Sequence, residues 1–436
     1  MIAPWKRTFY AAWVAQLLAM LGFAFVFPFL PFYVAQLGIH DKAEISRWTG
    51  ILLSCAGVSM AIASPLWGIL ADRYGRKPMV LRSMLGGAVV LGLMAFTTNV
   101  HQLLVLRLLQ GALTGTVAAS IALVASVTPS ERAGYALGMM QVAVLAGNAI
   151  GPFVGGLTVY HFGFFWAFLA AAGLILAGGL LVKFGTREDF TPTPTADKGM
   201  AASYRTLFAL AGFVIPLATL CLVNFAMTAP GTIFPLFVQE LAQADEGAAA
   251  RITGNILSVT GVVAALGAFG LGRLSDRWGH REMLLTCVIG TAVLSAAQAF
   301  AASVGQLFAL RILFGLAAAG LIPAANAIIH RVVPRHSIGK AFGATASLGA
   351  LGFTLGPLVG GYMAAYTLQH YPALSYRPPF IFCGLVLSMV AGLVYWGIKP
   401  SLLRSKEAPT ACVPAAAVPL AGAADHVPTP PQLPPT

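Results

Sequence analysis

The residues of this sequence that could do chemistry are polar side chains placed inside long apolar segments. Arg107 and Gln110 lie three residues apart in one such segment, so a helix would set both on one face beside Gly111. An arginine inside a membrane span is costly and therefore indicates a function. The alternative is that Arg107 lies near enough to the end of its helix to reach the membrane surface. We favour a function, because Gln110 and Gly111 complete a polar, closely packed face.

Charged residues also form a loop whose spacing occurs twice. In the segment GILADRYGRKP, which begins at Gly68, Asp72 lies close to four basic residues, so we expect it to stay ionised and paired. Basic loops are expected at the cytoplasmic face of any membrane protein, but this does not explain why the spacing recurs. The residues concerned are Gly68, Asp72, Arg73, Gly75, Arg76 and Lys77 in the first copy and Gly272, Asp276, Arg277 and Gly279 in the second.

A third pattern consists of glycines spaced four residues apart. Glycines at this spacing form a flat strip on a helix and allow another helix to approach closely. A proline within the strip removes a backbone hydrogen bond and bends the helix. The strip comprises Gly147, Gly151, Pro152, Gly155 and Gly156, and it returns as Gly352, Gly356, Pro357, Gly360 and Gly361.

The elements that carry these residues must be membrane helices. The chain has 436 residues, of which 58% are hydrophobic and 9% are charged, whereas soluble domains carry about 25% charged residues. Apolar blocks longer than roughly 18 residues indicate membrane spans. The sequence therefore predicts an all-α membrane protein with twelve spans. The predicted spans are 10–37, 48–71, 79–98, 103–126, 134–160, 163–184, 207–239, 252–274, 283–303, 306–329, 339–366 and 379–398.

The net charge of +12 follows from the topology of these spans and does not indicate a nucleic-acid partner. If odd-numbered spans leave the cytoplasm, 20 of the 26 Lys and Arg residues lie on the cytoplasmic side and 4 lie outside. Arg107 and Arg311 lie within spans, and Arg82 is counted with the cytoplasmic loop. The positive-inside rule then predicts that both termini are cytoplasmic.

The chain repeats itself at a nearly constant offset. Asp72 and Asp276 lie 204 residues apart, and Pro152 and Pro357 lie 205 apart. A parallel duplication of six spans is typical of transporters in which two bundles enclose a substrate site near the membrane midplane. The predicted domains are a six-helix bundle at 1–185, a cytoplasmic linker at 186–205, a second six-helix bundle at 206–399 and a disordered cytoplasmic tail at 400–436.

Together these motifs resemble those of the major facilitator superfamily. The loop after span 2 is similar to the signature loop of the family, and the glycine strip with its proline is similar to the strip that marks the antiporter branch. The resemblance runs from Trp5 to about Lys399 and is to the twelve-span drug/proton antiporters, including bacterial multidrug resistance exporters of the fosfomycin and deoxycholate resistance type. The second copy departs from the first, since His280 stands at the position of Arg76 and Phe314 at that of Gln110.

This resemblance implies a role for each motif. The two loops would form a conformational latch, in which Asp72 pairs with nearby charge and with the N-terminal end of span 11 in the outward-facing state. Arg107, Gln110 and Gly111 would take part in proton coupling together with Asp72. The glycine strips would be an antiporter hinge that seals the outer side, formed by Gly147, Gly151, Pro152, Gly155, Gly156, Gly356 and Pro357.

The resemblance also implies a substrate cavity lined by spans 1, 4, 7 and 10 with help from 2, 5, 8 and 11. Its mainly apolar and amide side chains suit varied, hydrophobic substrates. For any single apolar residue, packing against lipid or core is the more common alternative. The candidate cavity residues are Gln16, Phe23, Phe27, Thr114, Gln141, Asn148, Asn224, Phe225, Asn255 and Asn326.

The leading hypothesis is a secondary active transporter that exports small, mostly hydrophobic drugs or toxic compounds across the bacterial inner membrane by proton antiport. The alternatives are a narrow exporter of a metabolite such as a sugar, and a non-transporting membrane scaffold or sensor. The sequence lacks a nucleophile–base pair, a phosphate loop or a metal-binding spacing, so we expect neither an enzyme nor a cofactor, and the proton gradient would supply the energy. We expect a monomer whose partners are small-molecule substrates and the lipid bilayer. Because the 14 acidic residues all fall in loops, in the tail or at span ends, proton coupling rests on the resemblance alone.

Overall fold

The computed structural model describes residues 4–188, 190, 211–333 and 338–398, and within these ranges the chain is helical and has no strand. Most of the predicted linker at 186–205 and the whole predicted tail at 400–436 lie outside the described residues.

The helices of the first half follow the predicted spans. Span 1 is interrupted by a short 3-10 turn at Phe27–Phe29, and spans 5 and 6 belong to one helical run that bends at Gly163, where φ is 77°. The helices are Pro4–Val26 and Leu30–Gln36 (span 1), Lys42–Tyr74 (span 2), Arg76–Met94 (span 3), Val100–Leu113 and Thr116–Val127 (span 4), and Ala133–Gly185 (spans 5 and 6).

The second half repeats this pattern. Its helices are Ala211–Gly231 and Phe234–Ala242 (span 7), Glu246–Trp278 (span 8), His280–Gln298 (span 9), Val304–Ala318 and Leu321–Val332 (span 10), Ile338–His370 (span 11), and Pro378–Gly397 (span 12). Ten helical runs among the described residues are long and apolar enough to cross a membrane. One of them, Ser130–Gly185, holds two spans, and span 9 supplies the remaining one, so the prediction of twelve helices is confirmed.

The duplication is visible in the helix boundaries themselves. Lys42–Tyr74 and Glu246–Trp278 begin and end 204 residues apart. Both follow an aspartate whose side chain accepts hydrogen bonds from the backbone N–H groups of the first turn, as helix N-caps do. Both end at a glycine with positive φ, 95° at Gly75 and 101° at Gly279, which a residue with a Cβ rarely adopts. The same local signals therefore start and stop the same helix in each half.

The two bundles meet at the end remote from the repeated loops, which we call the distal end. Span 2 packs against span 11, and span 8 packs against span 5. A Cβ added at Gly50 would stand 2.7 Å from the carbonyl oxygen of Pro357. In the symmetry-related contact, Gly254 lies directly against the carbonyl oxygen of Pro152. Two equivalent backbone contacts, which need glycine, therefore join the halves.

Polar and aromatic contacts reinforce this distal junction. The Arg251 guanidinium lies 4.4 Å from the centre of the Tyr160 ring, which belongs to the other half. The Gln36 amide donates to the Glu246 carboxylate at 3.3 Å, again between halves. Beside this junction Tyr376 is buried, and desolvation together with the carboxylate of Glu240 raises its pKa. Tyr376 is therefore a neutral packing residue at physiological pH.

Toward the repeated loops the same helices are exposed. Ile62 and Leu266 occupy equivalent positions in the loop-side halves of spans 2 and 8 and are 75% and 67% exposed. The space between the bundles is thus closed at the distal end and open at the end that carries the loops.

Leucine at Gly254 should force the halves apart at the distal end, because its side chain cannot fit against the Pro152 backbone. Spin labels at Thr98 and Ala302, exposed and related by the repeat, would report the change in a background without the native cysteines. We expect a longer label–label distance in Gly254→Leu by double electron–electron resonance. The control is Gly173→Leu, since nothing lies within 4 Å of a Cβ there. Equal distances in both variants would contradict the contact.

Candidate functional site

Arg107 is buried inside the first bundle. It lies about two turns into span 4 and is 4% exposed. Its Nε donates to the Leu52 carbonyl of span 2 at 2.9 Å, and its Nη1 donates to the Gln110 side chain at 2.7 Å. The guanidinium also lies over the Phe27 ring at 4.2 Å. Arg107 therefore does not reach the membrane surface, and the alternative of a snorkelling side chain is wrong.

The adjacent Gly111 allows this arrangement. It lies directly against the Ala56 carbonyl oxygen and the Ser59 hydroxyl of span 2, so that spans 2 and 4 touch backbone to backbone. This close approach brings the Leu52 carbonyl within reach of Arg107. The polar, closely packed face predicted from Arg107, Gln110 and Gly111 exists, while its role in proton coupling stays a prediction.

Arg311, the counterpart in span 10, is only partly buried and has different neighbours. Its guanidinium lies between the rings of Phe234 and Phe314, at 4.6 and 4.8 Å. Its Nη1 donates to the Gln298 side chain of span 9 at 3.2 Å. The glutamine that the second copy lacks within span 10 is thus supplied by a neighbouring helix.

Aromatic and basic side chains extend from Arg107 through the first bundle. Phe27, beneath Arg107, stacks with Phe23 at a centroid distance of 6.2 Å. Phe23 and Thr114 both border Gly87, where a Cβ would lie 3.5 Å from each. The Thr114 carbonyl in turn accepts a hydrogen bond from Arg82. We call Arg107, Phe27, Phe23, Thr114, Arg82 and Trp67 the aromatic–arginine row.

Arg82 and its contact with Trp67 were missed in the sequence. Arg82 is not a loop residue, since it lies about two turns into span 3 with its guanidinium 3.7 Å from the centre of the Trp67 ring. Its position only six residues after Arg76, in a run of basic residues, made it look like part of the loop. The signal that could have identified it is the helical start at Gly75, which puts Arg82 about two turns inside the helix of span 3.

The other predicted cavity residues differ in burial, and their place in a cavity stays a prediction. Gln16 is 0% exposed and its amide has no hydrogen-bond partner among the described residues, so it is buried in the first bundle. Asn224 donates to the Leu220 carbonyl of its own helix, and Phe225 packs edge-on against Phe382. Asn326 is partly buried. The exposed members are Gln141, Asn148 and Asn255.

The expected pairing of Asp72 is absent from this conformation. Asp72 is exposed and makes no hydrogen bond or ion pair with any described residue. The carboxylate that does bind the first loop is Glu188, which accepts from the backbone N–H groups of Arg76 and Lys77 at 2.7 to 3.0 Å. Glu188 thus caps the N-terminus of span 3, where a negative charge is stabilising. The sequence does not reveal this contact, because Glu188 is more than a hundred residues away.

Each loop is also attached to the last helix of its own bundle. The Lys77 ammonium donates to the carbonyls of Lys183 and Thr186 at 3.0 and 2.6 Å, at the end of span 6. Arg281, which lies 204 residues later, donates to the Tyr395 carbonyl at 2.8 Å, near the end of span 12. A cation at a helix C-terminus is favourable, so each loop fixes spans 3 and 6, or 9 and 12, as one body.

The glycines of each strip pack against two different helices, one in the same half and one in the other half. Gly147 and Gly155 face span 1 of their own half, where they contact Met20 and Phe25. The last glycine, Gly156, instead faces span 8 of the other half. A Cβ added there would stand 2.6 Å from the Ala250 carbonyl oxygen. In span 11, Gly352, Gly356 and Gly360 likewise face span 7, whereas Gly361 faces span 2. Only the last glycine of each strip therefore lies at the junction of the halves, the others pack within their own bundle, and the action of the strips as a hinge stays a prediction.

Known membrane proteins resemble this chain in sequence over most of its length. The sequence profile of the Major Facilitator Superfamily matches residues 12–250 and 241–424. The multidrug resistance protein MdtG of Citrobacter koseri is 35% identical over 407 residues, covering 92% of this chain and 97% of that protein. The multi-drug resistance efflux pump PmrA of Streptococcus pneumoniae is 33% identical over 370 residues, covering 84% and 91%.

Solved structures share the fold at low identity. A bacterial homolog of the human lysosomal transporter Spinster, in an inward-facing and occupied conformation, matches with a TM-score of 0.74 at 14% identity, covering 91% of this chain and 97% of that chain. The nucleoside transporter NupG matches with a TM-score of 0.73 at 14% identity, covering 90% and 99%.

Removing the Glu188 carboxylate should destabilise the protein by about 1 kcal/mol, as the loss of a helix N-cap does. Thermal unfolding of Glu188→Ala in detergent should begin at a lower temperature than in the wild type. The matched control is Glu131→Ala, because Glu131 is exposed and bonds only to its neighbour Ser130 among the described residues. A control as unstable as Glu188→Ala would show that the cap contributes nothing.

Arg107 and Gln110 should be energetically coupled. Arg107→Met leaves the Gln110 side chain and the Leu52 carbonyl without their charged donor, at a cost of about 1.5–3 kcal/mol. In the double variant with Gln110→Met, part of this loss should be recovered, so a double-mutant cycle should give a coupling energy of about 0.5–3 kcal/mol. Strictly additive losses would mean that the contact does not stabilise the fold. Arg73→Met, at an exposed position, is the control for charge alone.

Proposed function

This chain belongs to the major facilitator superfamily, and from that premise we propose that it exports small, mostly hydrophobic drugs or toxic compounds across the bacterial inner membrane by proton antiport with alternating access. The observation that carries the proposal is a sequence identity of 33% to 35%, over most of the chain, to two proteins named for multidrug resistance and efflux.

The geometry of the first bundle supports hydrophobic substrates. The aromatic–arginine row offers the flat faces of Phe23, Phe27 and Trp67 and contains no carboxylate. Aromatic surfaces of this kind bind varied apolar molecules through burial and stacking, without the hydrogen-bond pattern that selects one sugar. A narrow exporter would need more directional polar groups at this place.

The arrangement of the two halves supports alternating access. The distal contacts of Gly50 and Gly254 close one side, while the exposed loop-side halves of spans 2 and 8 leave the other side open. With the loops on the cytoplasmic side, as the positive charges favour, this conformation is the inward-facing one. The outward-facing state would require the distal contacts to separate and the two loops to approach each other.

Proton coupling would then fall to residues whose surroundings change between these states. Asp72 is exposed when the loop side is open and would approach the opposite bundle when it closes. Such a change shifts the balance between the protonated and ionised carboxylate. Arg107 cannot itself give up a proton, so we assign it a modulating role through the contacts it makes with spans 1 and 2.

We place it in the bacterial inner membrane as a monomer with both termini in the cytoplasm, driven by the proton gradient and without a cofactor. Its function is transport and not enzymatic catalysis.

The proposal is tested by transport in proteoliposomes with an imposed pH gradient and several chemically unrelated drugs. We expect more than one drug to move in response to the gradient. Strict dependence on a single sugar or other metabolite would overturn multidrug export, and transport that ignores the gradient would overturn proton antiport.

Asp72→Asn should reduce gradient-driven transport by about tenfold or more, since the amide cannot bind or release a proton. Thermal unfolding should be unchanged, because the Asp72 side chain is exposed and makes no hydrogen bond or ion pair with a described residue. Asp276→Asn, the same change in the second copy, is the matched comparison. Proton movement at the wild-type rate in a folded Asp72→Asn protein would rule out Asp72 as the titrating group.

A further inference from the structure

The start of span 1 and the end of span 6 are joined at one corner of the first bundle. The Thr8 hydroxyl accepts a hydrogen bond from the Arg187 N–H at 3.1 Å and lies 3.3 Å from the Arg187 carbonyl oxygen, to which it can donate. One residue earlier, the Arg7 Nη2 donates to the Phe184 carbonyl at 3.5 Å. These contacts hold the two helix ends in a fixed position relative to each other.

Three exposed cations meet at this place, and we call Arg7, Lys183 and Arg187 the basic corner. The Lys183 ammonium lies 5.5 Å from the centre of the Phe184 ring, and Arg7 binds the carbonyl of that same residue. The carboxylate of Glu188, beside Arg187 in the sequence, is engaged by backbone N–H groups of span 3. No carboxylate of a described residue forms an ion pair with the basic corner, so its charge is not neutralised within the described part of the chain.

The carbonyl groups at the end of span 6 do not oppose an anion here, because other donors already occupy them. A helix C-terminus carries a partial negative charge, which cations near the last carbonyls offset. The Lys77 ammonium donates to the Lys183 and Thr186 carbonyls at 3.0 and 2.6 Å. Arg7 donates to the Phe184 carbonyl between them. The exposed side chains of the basic corner are therefore available to an external anion.

An apolar stripe leads away from the basic corner along span 6. It consists of Leu176, Leu180 and Phe184, which lie four residues apart on one face of the helix and are all exposed. Exposed apolar side chains along a membrane helix are suited to contact with lipid acyl chains. A molecule bound here would therefore meet cations at the end of the helix and apolar surface along its side.

The second bundle has no equivalent corner among its described residues. The first turn of the helix Ala211–Gly231 and the last turn of the helix Pro378–Gly397 contain neither lysine nor arginine. Arg281 donates to the Tyr395 carbonyl there, as Lys77 does to the end of span 6. Basic loops, which the positive-inside rule explains, occur in both halves, whereas the basic corner occurs in one. Orientation in the membrane therefore does not by itself explain it.

We propose that the basic corner and the apolar stripe form a binding site for an anionic phospholipid, with the phosphate at the basic corner and an acyl chain along the stripe. Guanidinium and ammonium groups make charge-assisted hydrogen bonds to phosphate, and basic pockets at the ends of membrane helices bind anionic headgroups. The site concerns the lipid around the protein and does not depend on the proposed export function. A bound lipid would tie the ends of spans 1 and 6 together where the first repeated loop is also attached.

The test compares two lipids that share their acyl chains and differ in headgroup charge, dioleoylphosphatidylglycerol and dioleoylphosphatidylcholine. Native mass spectrometry of the full chain, released from an uncharged detergent, would give the dissociation constant of the first bound lipid. We expect phosphatidylglycerol to bind about tenfold or more tightly, as two or three basic side chains at a membrane surface would provide. Equal dissociation constants for the two lipids would overturn the proposal.

Paired variants separate the basic corner from the general positive charge of the protein. Arg7→Gln with Lys183→Gln should remove the preference for phosphatidylglycerol and leave the affinity for phosphatidylcholine unchanged. Arg132→Gln with Arg273→Gln removes the same charge at exposed positions elsewhere and should change neither value. An equal loss of preference in this control pair would show a general electrostatic effect and would refute the site. If the first pair does not fold, Lys183→Gln with Arg187→Gln takes its place, and an undiminished preference in the pair used would contradict the proposal.

A further measurement separates a lipid site from a site for any phosphate. Glycerophosphoglycerol has the headgroup of phosphatidylglycerol but lacks its acyl chains, so it cannot use the apolar stripe. We expect it not to displace phosphatidylglycerol from the wild type at equal concentration. Displacement by the headgroup alone would mean that the basic corner binds free phosphate esters, and it would overturn the assignment to a lipid. Since these measurements report binding and not transport, their outcome is independent of whether the protein exports drugs.

Discussion

A guanidinium buried in a bilayer must find its hydrogen-bond acceptors inside the protein, and the first bundle is organised around this requirement. Arg107 obtains one acceptor from the backbone of span 2 and another from Gln110 in its own helix. The backbone acceptor is within reach because Gly111 lets the two helices touch. Phe27 then covers the guanidinium at the point where span 1 passes through its 3-10 turn. Changing any one of these elements would leave a charge or a carbonyl unpaired in a medium without water.

The same need for close backbone contact connects the halves to one another. Within one strip, Gly147 and Gly155 hold span 5 against span 1, while Gly156 meets span 8 across the junction. Span 5 thus belongs to its own bundle and also packs closely against span 8 of the other bundle, and span 2 packs in the same way against span 11. Glycines line both contacts, which join the halves at the distal end. A rocking motion of the two halves would require these contacts to separate.

Much of this structure could be predicted from local pattern. Long apolar blocks and turn residues located the spans, and the offset of 204 or 205 residues anticipated the two bundles. The spacing of Arg107, Gln110 and Gly111 correctly placed three residues on one face, because all three lie on a single helix. The spacing of residues along one helix does not show which other helices become its neighbours. The cap formed by Glu188 on span 3 and the stacking of Arg82 on Trp67 depend on such neighbours, and both were therefore missed.

The break in span 4 was also invisible in the sequence, for a different reason. Thr114 and Gly115 lie within a continuous apolar block, and a glycine there is as readily explained by helix packing as by a positive φ. The corresponding break in span 10 occurs after Gly320, whose φ is −85° and thus open to any residue. The two breaks therefore have the same position but not the same backbone, and only the first is bordered by an arginine and a tryptophan.

The two halves share the features that build a bundle but differ in the polar groups inside it. Helix boundaries, caps, loop attachments and glycine strips are common to both, since each is needed to build a bundle and to join it to its twin. The polar groups inside the bundles are not common to both. Arg311 keeps the charge of Arg107 but finds its glutamine on another helix, and Arg82 has only Thr286 as its counterpart. The scaffold is thus present twice, whereas the polar groups of the interior differ between the halves, so the substrate preferences of this protein should be set mainly by residues that the repeat does not share.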